Sequence, residues 1–177
     1  GHLGGHAYVA GIELPDLVET LARGAEELPD LFLLVLADVE QFHVPPGADT
    51  RRETVLGPGE IVTEIVLPPS RGTRSSYRKV RDRAAWDFAL AGVALAIQLN
   101  GDVVSRARVV LSGAAPIPWR SKEAEQVLIG QKVDGTVASK AAEAALRNAQ
   151  PLAQNGYKVP MFRALIEEEI EAITRKA

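Results

Sequence analysis

Apolar residues recur at helical spacing over Leu17, Val18, Leu21, Ala22, Ala25 and Leu28. Pro15 and Asp16 precede them and Glu19 falls in the first turn, so a short amphipathic helix is predicted there. The unbroken run Leu31–Ala37, bounded by Asp30 and Asp38, suits a buried strand or a helix segment equally. Gly1–Gly11 shows no period and reads as a flexible end, whereas Pro45-Pro46-Gly47 and Gly57-Pro58-Gly59 mark loops.

From Ile61 onward the pattern sharpens. Ile61–Leu67 is rich in β-formers and stops at Pro68-Pro69, and Ser75–Arg83 is a polar strand candidate. Phe88–Leu99 is apolar on both faces, as a central strand requires. Asn100-Gly101 between β-rich runs predicts a hairpin. The returning strand Val103–Leu111 alternates, with Val103, Ala107, Val109 and Leu111 on one face and Arg106 and Arg108 on the other.

After Gly113 the period becomes helical. Arg120–Ile129 stops at Gly130. Val137, Ala141, Ala142, Ala145, Leu146 and Ala149 form a small-residue stripe that starts near Asp134 or Thr136. Pro160 opens a last helix with Phe162, Leu165, Ile166, Ile170 and Ile173 on one face and Glu167, Glu168, Glu169 and Glu171 on its wet face. Strands followed by helices, without βαβ alternation or an internal repeat, predict an α+β fold: a small antiparallel sheet of three to four strands packed against about three C-terminal helices.

Composition narrows the chemistry. With 46% hydrophobic residues in 177, the chain supports a real core. Its formal charge of −3 argues against a general binder of nucleic acid. The absence of Cys excludes disulfides, a thiol nucleophile, and iron–sulfur or Cys-ligated zinc sites on this chain. No apolar run approaches the ~20 residues of a membrane span. Gly1–Gly5 carries no basic region of a secretory signal, so the expected location is cytoplasmic.

Two local features invite a site. The basic stretch Arg71, Arg74, Arg78, Lys79, Arg81 and Arg83 suits a charge-guarded strand or intersubunit surface, an anion or cofactor contact, or, least well, nucleic acid. Asp87, between Trp86 and Phe88, is either a turn-capping carboxylate or a side chain aimed at a ligand. Pro116-Ile117-Pro118-Trp119-Arg120 leads into a helix, with Trp119 packed on the sheet and Arg120 requiring an acidic or carbonyl partner against the helix dipole. His2, His6 and His43 form no catalytic or metal-binding set, and no Gly-rich phosphate loop precedes a helix. Residue chemistry alone yields no enzyme.

The order of segments over residues 55–175 is more telling. Val55-Leu56-Gly57-Pro58-Gly59-Glu60-Ile61-Val62-Thr63-Glu64-Ile65 leads to Leu67-Pro68, then Tyr77-Arg78-Lys79-Val80-Arg81-Asp82-Arg83 and Trp86-Asp87-Phe88-Ala89-Leu90-Ala91-Gly92. Leu111-Ser112-Gly113-Ala114-Ala115-Pro116-Ile117-Pro118-Trp119-Arg120, Glu123-Ala124-Glu125 and Asn155-Gly156-Tyr157-Lys158-Val159-Pro160 follow. Together they resemble the C-terminal half of the FAD-binding medium subunit of molybdenum hydroxylases, the xanthine dehydrogenase, carbon monoxide dehydrogenase and aldehyde oxidoreductase group.

The resemblance implies a small antiparallel sheet carrying three helices, closing over the isoalloxazine of FAD. It implies two partners, a molybdopterin-binding large subunit and a small subunit with 2Fe–2S clusters, and electron flow from those clusters through FAD to an external acceptor. Carried over, Val62 abuts the flavin, Arg78 or Lys79 contacts the cofactor, and Asp87, flanked by Trp86 and Phe88, lies near the flavin edge. A cation near the flavin's N1/C2 stabilises the reduced anionic ring and raises its potential. Residues 51–177 then form the flavoprotein C-terminal domain, and residues 1–50 an unplaced segment, a candidate remnant of the FAD-binding domain. That domain's Gly-rich pyrophosphate loop and Gly/Thr segment have no counterpart here, which argues against FAD binding by this chain alone. Two readings stay open: part of a longer flavin subunit with an electron-transfer role, or an interaction module that lost the cofactor.

Overall fold

The computed structural model describes residues 39–47, 49–65, 70 and 72–175. The helix predicted over Leu17–Leu28 and the run Leu31–Ala37 lie outside them. The chain divides into two compact units, Gly1–Pro69 and Ser70–Ala177. In the first, helix α1 (Val39–Phe42) leads into a short antiparallel turn-back in which His43 bridges Thr54. Gly57–Glu60 closes a turn, the Glu60 carboxylate accepting from the Gly57 N–H at 2.7 Å. Ile61–Ile65 is exposed and forms no strand. β-propensity expresses itself through a pairing partner and a buried face, and among the described residues this segment has neither.

The second unit is a four-stranded antiparallel sheet in the order β1 (Arg74–Val80), β2 (Ala91–Asn100), β3 (Val103–Ser112), β4 (Trp119–Arg120). Three helices follow, α2 (Lys122–Leu128), α3 (Gly135–Leu146) and α4 (Lys158–Arg175). The α+β expectation holds. The β2–β3 hairpin turns on Gly101 and Asp102, with Gly101 at φ +60°, the positive value that lets a two-residue turn follow the strands' twist.

Ala91, Val93, Leu95 and Ile97 of β2 and Ala107, Val109 and Leu111 of β3 are buried on one sheet face. Against them lie Leu128 of α2 and Phe162, Leu165, Ile166, Ile170 and Ile173 of α4. The alanines of α3 (Ala138, Ala141, Ala142) let it pack closely on α2 and α4.

Several expectations are corrected. Val104, not Val103, is buried, because Ser105 is an extra residue between the pairs Leu99↔Val104 and Gln98↔Arg106. This β-bulge shifts the alternation by one, and the Ser105 hydroxyl donates to the Gln98 carbonyl at 3.1 Å. β1 ends at Val80 and β2 starts at Ala91, leaving Phe88 in the intervening loop. Arg120 belongs to β4, not to the helix, which starts after Ser121, whose Oγ accepts from the Ala124 N–H. Trp119 remains 46% exposed instead of packing fully on the sheet. Glu169 is buried among the acids assigned to the wet face, within 3.6 Å of Arg78. α4 begins at Lys158, two residues before Pro160, which still falls in the first turn where no N–H is needed.

α3 is capped as the Asp134 alternative predicts: its Oδ1 accepts from the Val137 N–H at 2.8 Å. Asp134→Ala is expected to cost about 1 kcal/mol of unfolding free energy, read as a lower denaturation midpoint with an unchanged slope. At the hairpin turn, Lys132 donates to Asp102 at 2.7 Å. The hydrogen bond and charge of Lys132 hold the Asp102 carboxyl below its usual range, and Asp102 in turn raises Lys132. The contribution is therefore present between their ordinary values. It fades in acid as Asp102 protonates, and in strong base as Lys132 deprotonates. Lys132→Ala should accordingly differ least from the parent protein at the two extremes of a pH–stability profile.

Candidate functional site

The sheet face away from the helices carries small residues on β2, Gly92, Ala94 and Ala96, flanked by Tyr77 and Lys79 of β1 and Ser112 of β3. Alternation dictates this set, since Tyr77 and Lys79 are two apart. The Tyr77 hydroxyl meets the Ser112 hydroxyl at 3.3 Å. The pair closes over Gly92, where an added Cβ would lie 2.2 Å from Ser112 Oγ and 3.2 Å from the tyrosine oxygen. Glycine at this position is what allows the phenol to span the central strand.

At the end of this face the loop of residues 81–90 is tightly tied. The Asp87 carboxylate accepts from the backbone N–H groups of Asp82 (2.9 Å) and Arg83 (3.0 Å). Lys79 donates to the Asp87 carbonyl, and Arg83 to the Trp86 carbonyl at 3.0 Å. Within this scaffold Trp86 adopts φ +52°, a left-handed conformation that is sterically costly for a bulky side chain. Its ring is 96% exposed and that of Phe88 93% exposed. Neither aromatic gains burial in return, so the loop spends its hydrogen bonds on holding two rings in solvent. Strain of this kind concentrates where a ligand or partner binds. Next to Ser112, Gly113 adopts φ +74°, and its carbonyl accepts from Lys158 Nζ at 3.1 Å.

The structure brings Lys79, Trp86 and Asp87 together and separates them from Arg78. Arg78 faces the helices, where it donates to Glu168 at 2.6 Å. Val62 lies in the other compact unit and is exposed. Asp87 adopts the capping geometry of its two readings. Tyr77, Ser112 and Gly92 were not singled out from the sequence. The two-residue spacing to Lys79 flags Tyr77, but nothing local reveals Ser112 as its partner. Arg71 lies outside the described residues.

The chemistry offered is two exposed aromatic planes, a hydroxyl pair and a cation beside them. Among the described residues no three His, Cys, Asp or Glu side chains are placed to hold a metal ion, and no helix is long and apolar enough to cross a membrane. A separate hollow of about 370 Å³ lies between Trp119, Leu111 and the end of α3 near Ala145. Its walls are mainly apolar, with Glu123, Asn148 and Gln150 the polar members.

Two exposed ring faces beside a hydroxyl pair and a cation suit a planar ligand with a polar edge. Residues 75–171 match the CO dehydrogenase flavoprotein C-terminal domain family. The chain is 40% identical over 128 residues to the aldehyde oxidoreductase FAD-binding subunit PaoB of Escherichia coli, covering 71% of this chain and 36% of that protein. It is 28% identical over 124 residues to the carbon monoxide dehydrogenase medium chain of Hydrogenophaga pseudoflava, covering 67% and 43%. The crystal structure of the cyanide-inactivated Cu,Mo-CO dehydrogenase superposes with a TM-score of 0.62 at 26% identity, over 71% of this chain and 46% of that one. The chain thus spans less than half the length of these relatives. With the matched segment covering all of the sheet but Arg74 and most of the helical layer, the resemblance read from the sequence is established: this chain belongs to the CO dehydrogenase flavoprotein C-terminal domain family.

Proposed function

We propose that this chain is the flavin-facing C-terminal part of a molybdenum-hydroxylase medium subunit. In that role it relays electrons from 2Fe–2S clusters on a small subunit, through FAD, to an external acceptor, while a molybdopterin-binding large subunit oxidises the substrate. The observation that carries the reading is the open sheet face, where Tyr77, Ser112 and Lys79 sit beside the strained loop bearing Trp86. When bound, FAD supplies the redox chemistry. Lys79 would place a cation beside the bound ring, the Tyr77–Ser112 pair would offer a donor and acceptors for orienting a ring edge, and the Trp86 and Phe88 faces would exclude water from a ring stacked on them. Asp87 acts indirectly, by holding the loop that presents Trp86. Lys79 is the preferred member of the basic pair, because Arg78 is occupied on the helix side.

The ring end of FAD has candidate contacts on this face, whereas two of the three helix amino ends in this unit offer its pyrophosphate no cradle. The amino ends of α2 and α3 are closed by their own caps, Ser121 and Asp134, and the Asp134 carboxylate repels a phosphate. This mismatch favours a chain that needs a complementary segment to hold the dinucleotide. It is also the observation behind a second reading, a subunit-interaction module without FAD.

Titrating FAD into the chain alone, and into the chain mixed with the remaining part of a FAD-binding relative, separates the two. Weak or no binding alone and tight binding in the mixture is expected. Absence of the flavin absorption band in both would leave the interaction module. In the reconstituted protein, Lys79→Met is expected to weaken flavin retention about tenfold, the loss of one charge-assisted contact, and to move the flavin potential downward. Asp87→Ala is expected to loosen the loop, seen as faster amide exchange at Asp82 and Arg83, and to weaken retention through the displaced Trp86.

A further inference from the structure

We infer that the outer edge of β1 is a docking site for an extended acidic segment of a partner protein, which adds as a fifth strand. β1 is an edge strand of seven residues, paired to β2 in continuous register without a bulge, and it contains no proline. Among the described residues no other strand pairs with it. Edges of this length are normally blunted by a bulge, a proline or charges projecting from the strand. Here only the charges remain, and they are divided between the two faces.

Arg74 and Arg78 turn to the helix side, where Arg74 reaches the carbonyls of Ile173 and Thr174 and Arg78 pairs with Glu168 and Glu169. Lys79, and Arg81 just beyond the strand, are exposed. Lys79 contacts a carbonyl rather than a carboxylate, and Arg81 makes no ion pair among the described residues. Positive charge, with Asp82 the acid next to it in the chain, is thus concentrated at one end of an edge that no other described strand pairs, on a chain whose formal charge is −3.

Main-chain pairing supplies affinity in such additions, and side chains select the partner. An acidic strand is selected. A second copy of this chain is disfavoured, because β1 contains no acid and pairing it with itself sets like charges against each other.

The test uses the full chain and a synthetic peptide of alternating Thr and Glu, about eight residues long to match the strand. Binding is followed by amide hydrogen exchange over residues 74–80 and by titration. Slowed exchange confined to β1, with affinity lowered at least tenfold in the Lys79→Glu/Arg81→Glu variant, is the expected result. The same peptide N-methylated at alternate residues keeps its charge and loses one row of hydrogen-bond donors, and is expected not to bind. Equal binding by the N-methylated peptide would reduce the effect to charge alone and overturn the proposal. So would dimerisation of the free chain through β1, which would make a second copy the occupant. Both substituted side chains are exposed, so an unfolded variant is not expected, and the N-methylated peptide tests the parent protein in any case.

Discussion

Glu125→Ala is expected to lower the unfolding free energy by about 3–5 kcal/mol, the loss typical of breaking a buried ion pair from one side. Glu125 is 4% exposed, and both carboxylate oxygens are engaged. Arg120 grips it in a fork, Nε to Oε1 at 2.8 Å and Nη2 to Oε2 at 2.7 Å. Oε1 also accepts from the Val109 N–H at 3.2 Å, and Arg108 lies 3.5 Å from Oε2. One side chain on α2 therefore ties β4 to β3 and satisfies a buried backbone donor. Alanine takes the carboxylate away from a partly buried guanidinium and removes the acceptor of the Val109 N–H, which is costlier than the lost attraction itself. Glu125→Gln retains an acceptor and is expected to fall between alanine and the parent protein. Arg120→Met combined with Glu125→Leu should recover part of the loss, since it removes both charges and leaves the Val109 N–H unpaired. Urea denaturation of the three variants checks the order, and equal midpoints for alanine and the parent would show that the network contributes nothing.

Gly113→Val is expected to cost about 3 kcal/mol, combining a left-handed backbone that a β-branched residue resists with a steric conflict. At φ +74° a Cβ would sit 3.0 Å from the Ala89 carbonyl oxygen and 3.4 Å from that of Leu90, both backbone atoms without rotamers to yield. The damage should be local as well as global. Gly113 follows Ser112 and accepts from Lys158, so its displacement unsettles the hydroxyl pair with Tyr77. Gly92→Ala makes a useful contrast. There the conflict is with the Ser112 hydroxyl, which can rotate away, so the Tyr77–Ser112 contact is lost at a smaller cost in stability. Unfolding midpoints rank the two variants, and the Tyr77 environment, followed by NMR, reports the contact.

Much of this was legible in the residues, unevenly. The hairpin follows from Asn100-Gly101 and the alternation beside it, and the last helix from the spacing of Phe162, Leu165, Ile166, Ile170 and Ile173, all of which are buried. Arg120's need for an acidic or carbonyl partner was also legible, because a cation near a helix start is unfavourable. Its satisfaction by Glu125, five residues on, is visible only once β4 is seen to precede the helix. The Ser105 bulge was hidden, since an extra residue leaves no mark on composition and reverses the face of every position before it. Phe88 reads as the start of a buried strand, yet it and Trp86 stand in solvent because Asp87 folds the loop back on Asp82 and Arg83.

The class of fold, most of each helix's buried face and the family were readable from the chain alone, since each rests on periodicities of two or 3.6 residues and on the order of segments. The tertiary structure decided which side chains meet. Tyr77 and Ser112 are 35 residues apart and touch only because β2 lies between them with a glycine at the crossing point. Arg78 and Lys79 are adjacent in the chain but go to opposite faces, one to the acids of α4 and one to the open sheet. A strand sends neighbours to opposite sides as a matter of local geometry, but only the helices packed on one side determine which neighbour is left on the uncovered face.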